Sequence, residues 1–306
     1  MKCVVTGANG FLGQVLIKNL LEKGHSVLGL VRRVESKKVV TQLGAEVEQA
    51  DLFDKVKLSE ILKKYKPDTI FHLAAEIATQ RNKDLIYRVN VEGTRSLAEA
   101  CRGLNLTSFI YASSVVIGNP NGMLIDEKSE LIATTTYGKS KQQAEVLLLN
   151  EMKTHNLPVV ILQPSHVYGY GGWYGELVGE MLKGRFMIPG DGKNWWDVVH
   201  VDDVADAFRL AAETPMKGEV FHIVDDQPIL MKDFFANTAK ALNLRKPWHI
   251  PKFIASLVRG SEPIAAAVRS AKSSNNKLKQ ELGWQPNYPN SELGIKHCIG
   301  KLKELK

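Results

Sequence analysis

Lys2-Cys3-Val4-Val5-Thr6-Gly7-Ala8-Asn9-Gly10-Phe11-Leu12-Gly13 runs an apolar segment straight into glycines at positions 7, 10 and 13. Phe11, Leu12, Val15, Leu16, Leu20 and Leu21 then recur at helical spacing to about Lys23. The stretch therefore reads as strand, tight turn and helix. Glycines let a ligand's phosphates approach the backbone, and the helix behind them offers free N–H groups and a positive dipole end. Gly7, Asn9, Gly10, Phe11, Leu12 and Gly13 are thus candidates for holding a dinucleotide pyrophosphate. The spacing is G-x2-G-x2-G rather than G-x-G-x-x-G, so a glycine-rich turn in some other α/β protein stays open at this point.

Working outward, strand and helix alternate. Ser26–Val31 reads as a second strand and ends in Arg32-Arg33. An acid at this place meets the adenosine ribose in NAD sites, and an arginine meets the 2′-phosphate in NADP sites. The absence of an acid favours NADP(H) over NAD(H); two plain surface arginines are the alternative. Glu46–Ala50 is a third strand, ending in Asp51-Leu52, which can flank an adenine or, for Asp51, cap a turn. Thr69–Leu73 is a fourth, followed by Ala74-Ala75, small enough for a ribose or pyrophosphate to lie against the backbone. Asn82–Leu104 reads as one long helix, in which Asn90 followed by Gly93 is poor helix chemistry and implies a local distortion with a polar task. Ser108–Ala112, the fifth strand, ends in Ser113-Ser114, and a helix runs from Tyr137 to about His155. Val159–Gln163 is the sixth strand and ends at Pro164. The expected fold class is α/β, a doubly wound parallel Rossmann sheet with a smaller C-terminal substrate lobe. The expected division is 1–167 plus 192–225 for dinucleotide binding, and 168–191 plus 226–306 for the lobe over the nicotinamide end.

Composition excludes several classes. Lys plus Arg exceed Asp plus Glu by 40 − 33 = 7, but the cations are spread among acids rather than gathered into a nucleic-acid stripe. Cys3, Cys101 and Cys298 show no metal or disulfide spacing, so neither a metal site nor a disulfide framework is expected, and a reducing cytoplasmic location fits. No run of apolar residues is long enough for a transmembrane helix.

Tyr137 and Lys141 stand four apart at the start of a helix and share a face. A free phenol titrates near 10, and a nearby ammonium favours the phenolate, so the pair can exchange a proton near working pH. A serine hydroxyl at the end of a neighbouring strand can bond the same substrate oxygen.

These residues resemble, in order, the extended short-chain dehydrogenase/reductase family: Thr6–Gly13, Asp51-Leu52, His72–Ala75, Asn90–Thr94, Tyr111–Ser114, Tyr137–Lys141, Pro164 with Val167-Tyr168-Gly169, and His200–Ala205. The resemblance implies that Tyr137 is the general acid/base. Lys141 would set its pKa and bind the nicotinamide ribose, and Asn90 would support the proton relay or the active-site helix. Counting back from Gly118, the catalytic serine falls on Ser113, with Ser114 as the alternative and a substrate contact. Leu73, Ala74, Ala75, Tyr137, Lys141, Pro164 and Val167 would touch the cofactor, and Tyr168, Trp195 and Trp196 the substrate.

Two departures mark this chain. Trp195-Trp196 stands where nucleotide-sugar enzymes of the family carry a phosphate-binding arginine, and Gln163 stands where members usually carry arginine. Ile250, Phe253, Ile254, Leu257 and Val258 resemble the lid of the dihydroflavonol 4-reductase and 3β-hydroxysteroid dehydrogenase branch; an amphipathic helix packed on the lobe reads equally well, and membrane-surface attachment through Trp248–Arg269 stays open. The expected function is NADP(H)-dependent reduction of a ketone or aldehyde on a largely apolar small molecule. The alternatives are a nucleotide-sugar epimerase or dehydratase with tightly held NAD, and a non-catalytic NADP(H) sensor. The family often dimerises through a four-helix interface, here expected at 83–104 and 137–155.

Overall fold

A computed structural model of the chain describes residues 1–304; Leu305 and Lys306, the end of the last expected helix and of the expected lobe, lie outside the described residues. In chain order the elements are β1 (Lys2–Thr6), α1 (Phe11–Glu22), β2 (Ser26–Val31), α2 (Lys37–Gln42), β3 (Glu46–Gln49), α3 (Lys55–Tyr65), β4 (Thr69–His72) and α4 (Lys83–Tyr87). A π-helical turn (Arg88–Gly93) leads into α5 (Thr94–Ala100), β5 (Ser108–Ala112), β6 (Leu124–Ile125), α6 (Thr136–His155), β7 (Val159–Pro164) and β8 (His166–Tyr168). Then come α7 (Gly172–Leu182), β9 (Met187–Pro189), β10 (Trp195–Trp196), β11 (Val198–His200), α8 (Val201–Glu213), β12 (Val220–Ile223) and β13 (Ile229–Leu230). The chain closes with α9 (Met231–Ala241), β14 (Trp248–Ile250), α10 (Lys252–Arg259), α11 (Ser261–Val268), β15 (Lys272–Ser273), α12 (Asn276–Leu282) and α13 (Ser291–Glu304).

It divides into two compact units, residues 1–114, 136–163 and 205–221, and residues 115–135, 164–204 and 222–306. The first is built on a seven-stranded sheet in the order β12-β7-β5-β4-β1-β2-β3. The pairs β1–β2, β1–β4, β2–β3, β4–β5 and β5–β7 are all parallel. Strands covered on both faces read as continuous apolar runs, and Cys3, Val4 and Val5 in β1 are fully buried. α1 buries Gly13, Leu16, Ile17 and Leu20; of the six residues expected on its inner side Leu16 and Leu20 are buried, while Phe11, Leu12, Val15 and Leu21 are half-buried. It ends where Gly24 takes a positive φ of 79°. Register sets Thr6, His72, Tyr111 and Ile161 in one row across β1, β4, β5 and β7. The segments that follow Thr6, His72 and Tyr111 therefore leave the sheet at one edge. The order reverses between β1 and β4, the place where such sheets bind ligands.

The expected helix over 82–104 is three pieces. Asn90 lies inside the π turn, so the distortion expected from its sequence is a widened turn, a form common at functional sites. α8 starts at Val201, so Asp202 and Asp203 lie in its first turn. Asp203 is fully buried and accepts from the Asn287 amide (2.7 Å), Asn287 Nδ2 (3.1 Å) and the Tyr288 amide (3.0 Å).

The second unit pairs its short strands two by two, β6–β15, β8–β11, β9–β14 and β10–β13. Its core gathers Tyr168, Tyr174, Trp196, Phe234 and Phe235 with Ile295, Cys298 and Ile299.

Candidate active site

The turn after β1 is shaped by contact with the loop after β4. Gly7 has φ 68°, and a Cβ there would lie 2.9 Å from the Ala74 amide nitrogen. A Cβ at Gly13 would collide with the Gly7 carbonyl. Both positions need glycine, whereas a Cβ at Gly10 would meet only Gly7 O, at 3.0 Å. No side chain caps α1 and no acid occupies its first turn, so its N–H groups are left for an anion.

A cavity of about 360 Å³ opens here within the first unit. Thr6, Gly7, Asn9, Gly10, Arg32, Arg33, Asp51, Leu52, Leu73, Ala74 and Ala75 line it, so most of the residues expected at the cofactor come together. Ser36, Phe53, Glu76 and Val89 line it too, and nothing in their spacing marked them in the sequence. Arg32 Nη1 stands 4.0 Å from Glu76 Oε1, and Asn9 Nδ2 donates to Ser36 Oγ at 3.2 Å. Asp51 takes its turn-capping role, its Oδ1 accepting from the Phe53 amide at 3.0 Å. The glycine cradle, the open helix end and the apolar wall at Leu52 match the chemistry of a dinucleotide: a pyrophosphate and an adenine face.

Tyr137 and Lys141 sit on α6 as expected, with Glu145 one turn further on the same face. Tyr137 is hydrogen-bonded to Ser114, not to Ser113. Burial pushes the phenol up to about 12, and the Ser114 hydroxyl pulls the other way. Ser113 Oγ is buried, closes no hydrogen bond and lies beside the Glu145 carboxyl. Lys141 is buried, donates to the Ala112 carbonyl at 2.7 Å and stands over the rings of Tyr111 (4.8 Å) and Tyr137 (5.9 Å). Burial lowers its ammonium to about 8, against the attraction of Glu145. Glu145 is raised by burial, while Ser113, Gln163 and Lys141 oppose the rise. Gln163 Nε2 donates to Glu145 Oε1 at 2.7 Å, which gives that departure from the family's usual arginine a structural partner.

Asn90 does not touch the Tyr137 side chain. Its Nδ2 donates to Ser140 Oγ (3.0 Å) and to Glu76 O (2.9 Å), and its Oδ1 accepts from the Glu76 amide (2.8 Å). Ser140 Oγ donates in turn to the Tyr137 carbonyl at 2.7 Å. Asn90 thus ties the backbone that carries Tyr137 to the loop after β4. His72 makes a second tie. Thr6 Oγ1 accepts the Ala74 amide (3.2 Å) and lies 2.7 Å from His72 Nδ1. Thr94 Oγ1 donates to Asn90 O (2.7 Å) and accepts from His72 Nε2 (2.9 Å). This order of donors fixes the tautomer with its proton on Nε2. Burial, with Lys141 nearby, holds the ring neutral, its pKa down at about 3.

The remaining expected residues lie in the second unit. Pro164 O accepts the Val115 amide at 3.2 Å, and Val167 O accepts from Trp173 Nε1 at 2.6 Å. Tyr168 and Trp196, expected at the substrate, are buried core residues, packed on Tyr174 and Phe234 and on His166, Trp173 and Phe235 respectively. Trp195 is partly open, with Lys272 Nζ 5.2 Å from its ring centroid.

Residues 3–225 match the sequence profile of the NAD dependent epimerase/dehydratase family. The chain belongs to that family. It is accordingly an NAD(P)-dependent enzyme of the short-chain dehydrogenase/reductase type. UDP-glucose 4-epimerase of Mycolicibacterium smegmatis is 31% identical over 306 residues, covering 94% of each chain. Mouse (Mus musculus) sterol-4-alpha-carboxylate 3-dehydrogenase, decarboxylating, is 30% identical over 272 residues, covering 83% of this chain and 72% of that one. The structure of UDP-glucuronic acid 4-epimerase from Bacillus cereus superposes over 100% of both chains with a TM-score of 0.86 at 23% identity, a likeness of fold.

Proposed function

We propose that the protein is an NADP(H)-dependent reductase of a ketone or aldehyde on a largely apolar small molecule. The observation that carries this reading is the half-buried Tyr137, hydrogen-bonded to Ser114 with Lys141 one helical turn away. A bound nicotinamide dinucleotide supplies the hydride. Tyr137 passes its phenolic proton to the substrate oxygen as charge develops there, and Ser114 donates to the same oxygen. The catalytic serine in this reading is Ser114, because it meets the phenol while Ser113 faces Glu145. Lys141 holds positive charge near the phenol, and Asn90 fixes the Tyr137 backbone through Ser140.

Arg32 and Arg33 in the cavity wall, with no acid at the end of β2, support NADP(H). The sterol dehydrogenase relative supports an apolar substrate. A nucleotide-sugar epimerase is the second reading, supported by the full-length mycobacterial relative and by Arg269, whose buried Nη2 has no partner and could meet a phosphate. A carbonyl panel scored by NADPH oxidation, with NADH and UDP-glucose alongside, separates them. The reductase reading expects NADPH consumption by an apolar carbonyl; conversion of UDP-glucose with no carbonyl reduction would replace it.

A further inference from the structure

α10 puts an unusual surface on the second unit. Trp248, just before it, is 84% exposed, and on the helix Phe253 is 68%, Leu257 82% and Val258 64% exposed. Scattered apolar residues on a surface are ordinary, but four large ones within eleven positions form a patch. Phe253, Ile254, Leu257 and Val258 share one face, while Lys252, Ser256 and Arg259 share another and Ala255 is turned inward.

The charge carried by the patch's own stretch of chain has one sign. Arg245, Lys246, Lys252 and Arg259 are exposed, and the sequence from 243 to 261 holds no Asp or Glu. None of the four closes an ion pair among the described residues; Asp191 lies within longer electrostatic reach of Lys252. The patch is also held in place. β14 pairs with β9, His249 Nδ1 meets the Gly190 carbonyl at 2.9 Å, and the Gly190 amide donates to Ile250 O at 2.8 Å. Asn194 Nδ2 donates to the carbonyls of Ala267 (3.3 Å) and Arg269 (2.8 Å) at the end of α11.

We propose that Trp248, Phe253, Leu257 and Val258, ringed by Arg245, Lys246, Lys252 and Arg259, dock the protein on an anionic phospholipid surface. Apolar side chains enter the boundary between headgroups and acyl chains, tryptophan settles at that depth, and the cations meet the phosphates. Charge complementarity selects this occupant. A second copy joined by a two-fold contact would bring the same four cations face to face, and a neutral bilayer would leave them without partners.

The test is flotation of the full-length protein with vesicles of phosphatidylcholine alone or of equimolar phosphatidylcholine and phosphatidylglycerol. Co-flotation is expected with the mixed vesicles, weaker by about tenfold or more with phosphatidylcholine alone, and reduced by molar salt, where the screening length falls to about 3 Å. Leu257→Glu with Trp248→Ala, and separately Lys252→Glu with Arg259→Glu, should each abolish it without changing the far-UV circular dichroism spectrum. All of these side chains are exposed, so the fold has no need of them. Failure to float with either vesicle, or flotation that both double variants retain, overturns the proposal. A concentration-dependent dimer that Leu257→Glu dissolves, with no flotation, overturns it in favour of a second copy.

Discussion

Gln163 Nε2 donates to the half-buried carboxyl of Glu145 at 2.7 Å, one helical turn beyond Lys141. An amide here satisfies the carboxyl without adding a charge, so Lys141 remains the cation that acts on it. Gln163→Leu takes a donor from the half-buried Glu145 and should cost about 1 kcal/mol. Gln163→Arg restores a donor and should lose far less. Urea unfolding of the two variants checks the difference; equal losses would show that side-chain volume, not the hydrogen bond, sets stability here.

Ser113 and Ser114 are adjacent yet face different partners. Ser114→Ala should lower kcat/KM for a carbonyl by about 10²-fold or more, as loss of a donor at a developing oxyanion does. Ser113→Ala should cost clearly less. Steady-state kinetics on the two variants decide it, and the opposite ranking would return the role to Ser113.

Asn90 reaches Tyr137 only through Ser140 and the backbone. Asn90→Ala should therefore reduce kcat while dinucleotide affinity changes little, and Ser140→Ala should reproduce part of the effect. A fall in affinity equal to the fall in kcat would show that Asn90 shapes the cofactor cavity instead.

His72 links acid sensitivity to the network beneath the site. Its folded pKa is held at about 3 against an ordinary 6.5. Between those values the unfolded chain binds a proton that the folded chain does not. The stability this group protects is thus full above pH 6.5 and drains away as pH falls toward 3. His72→Gln should be less stable at neutral pH, yet flatter below pH 6.5, by up to about 1.4 kcal/mol per unit. Denaturant unfolding across that range reads the slope, and an unchanged slope would place the acid sensitivity elsewhere.

Much of the first unit was legible because its signals are local. Apolar runs gave β1, β2 and β5, and helical spacing gave α1 with Leu16 and Leu20 of its buried face, though not Ile17. The turn at Gly7–Gly13 and the Tyr137–Lys141 spacing pointed to segments whose chemistry depends on short-range geometry. Asn90 betrayed the π turn because its side chain competes with helix bonding. Glu145 could have been found, since it stands four after Lys141 on the same face; Ser36 and Phe53 could not, since only folding brings them to the cavity. The second unit was harder. Its strands are two or three residues long, too short for a period, and its order rests on distant pairs such as Arg269 Nη1 with Asp197 at 3.0 Å. Tyr168 and Trp196 looked like binding aromatics because sequence alone cannot tell a buried ring from an exposed one.

In the proposed reading, Arg32 and Arg33 in the cavity wall meet the extra phosphate of NADP(H). Arg32→Ala with Arg33→Ala should raise KM for NADPH by about tenfold or more and leave NADH nearly unchanged, since a lost charge-assisted phosphate contact is worth about 1.5–3 kcal/mol. Equal effects on both cofactors would mean that the arginines act on the shared part of the dinucleotide.

The most direct test of the account is NADPH oxidation with an accepted carbonyl, measured for the wild-type protein and for Tyr137→Phe. The phenol is the proton donor in this account, so the variant should lose about 10²–10⁴-fold in kcat while NADPH still raises its thermal midpoint. Full turnover by Tyr137→Phe would contradict the account.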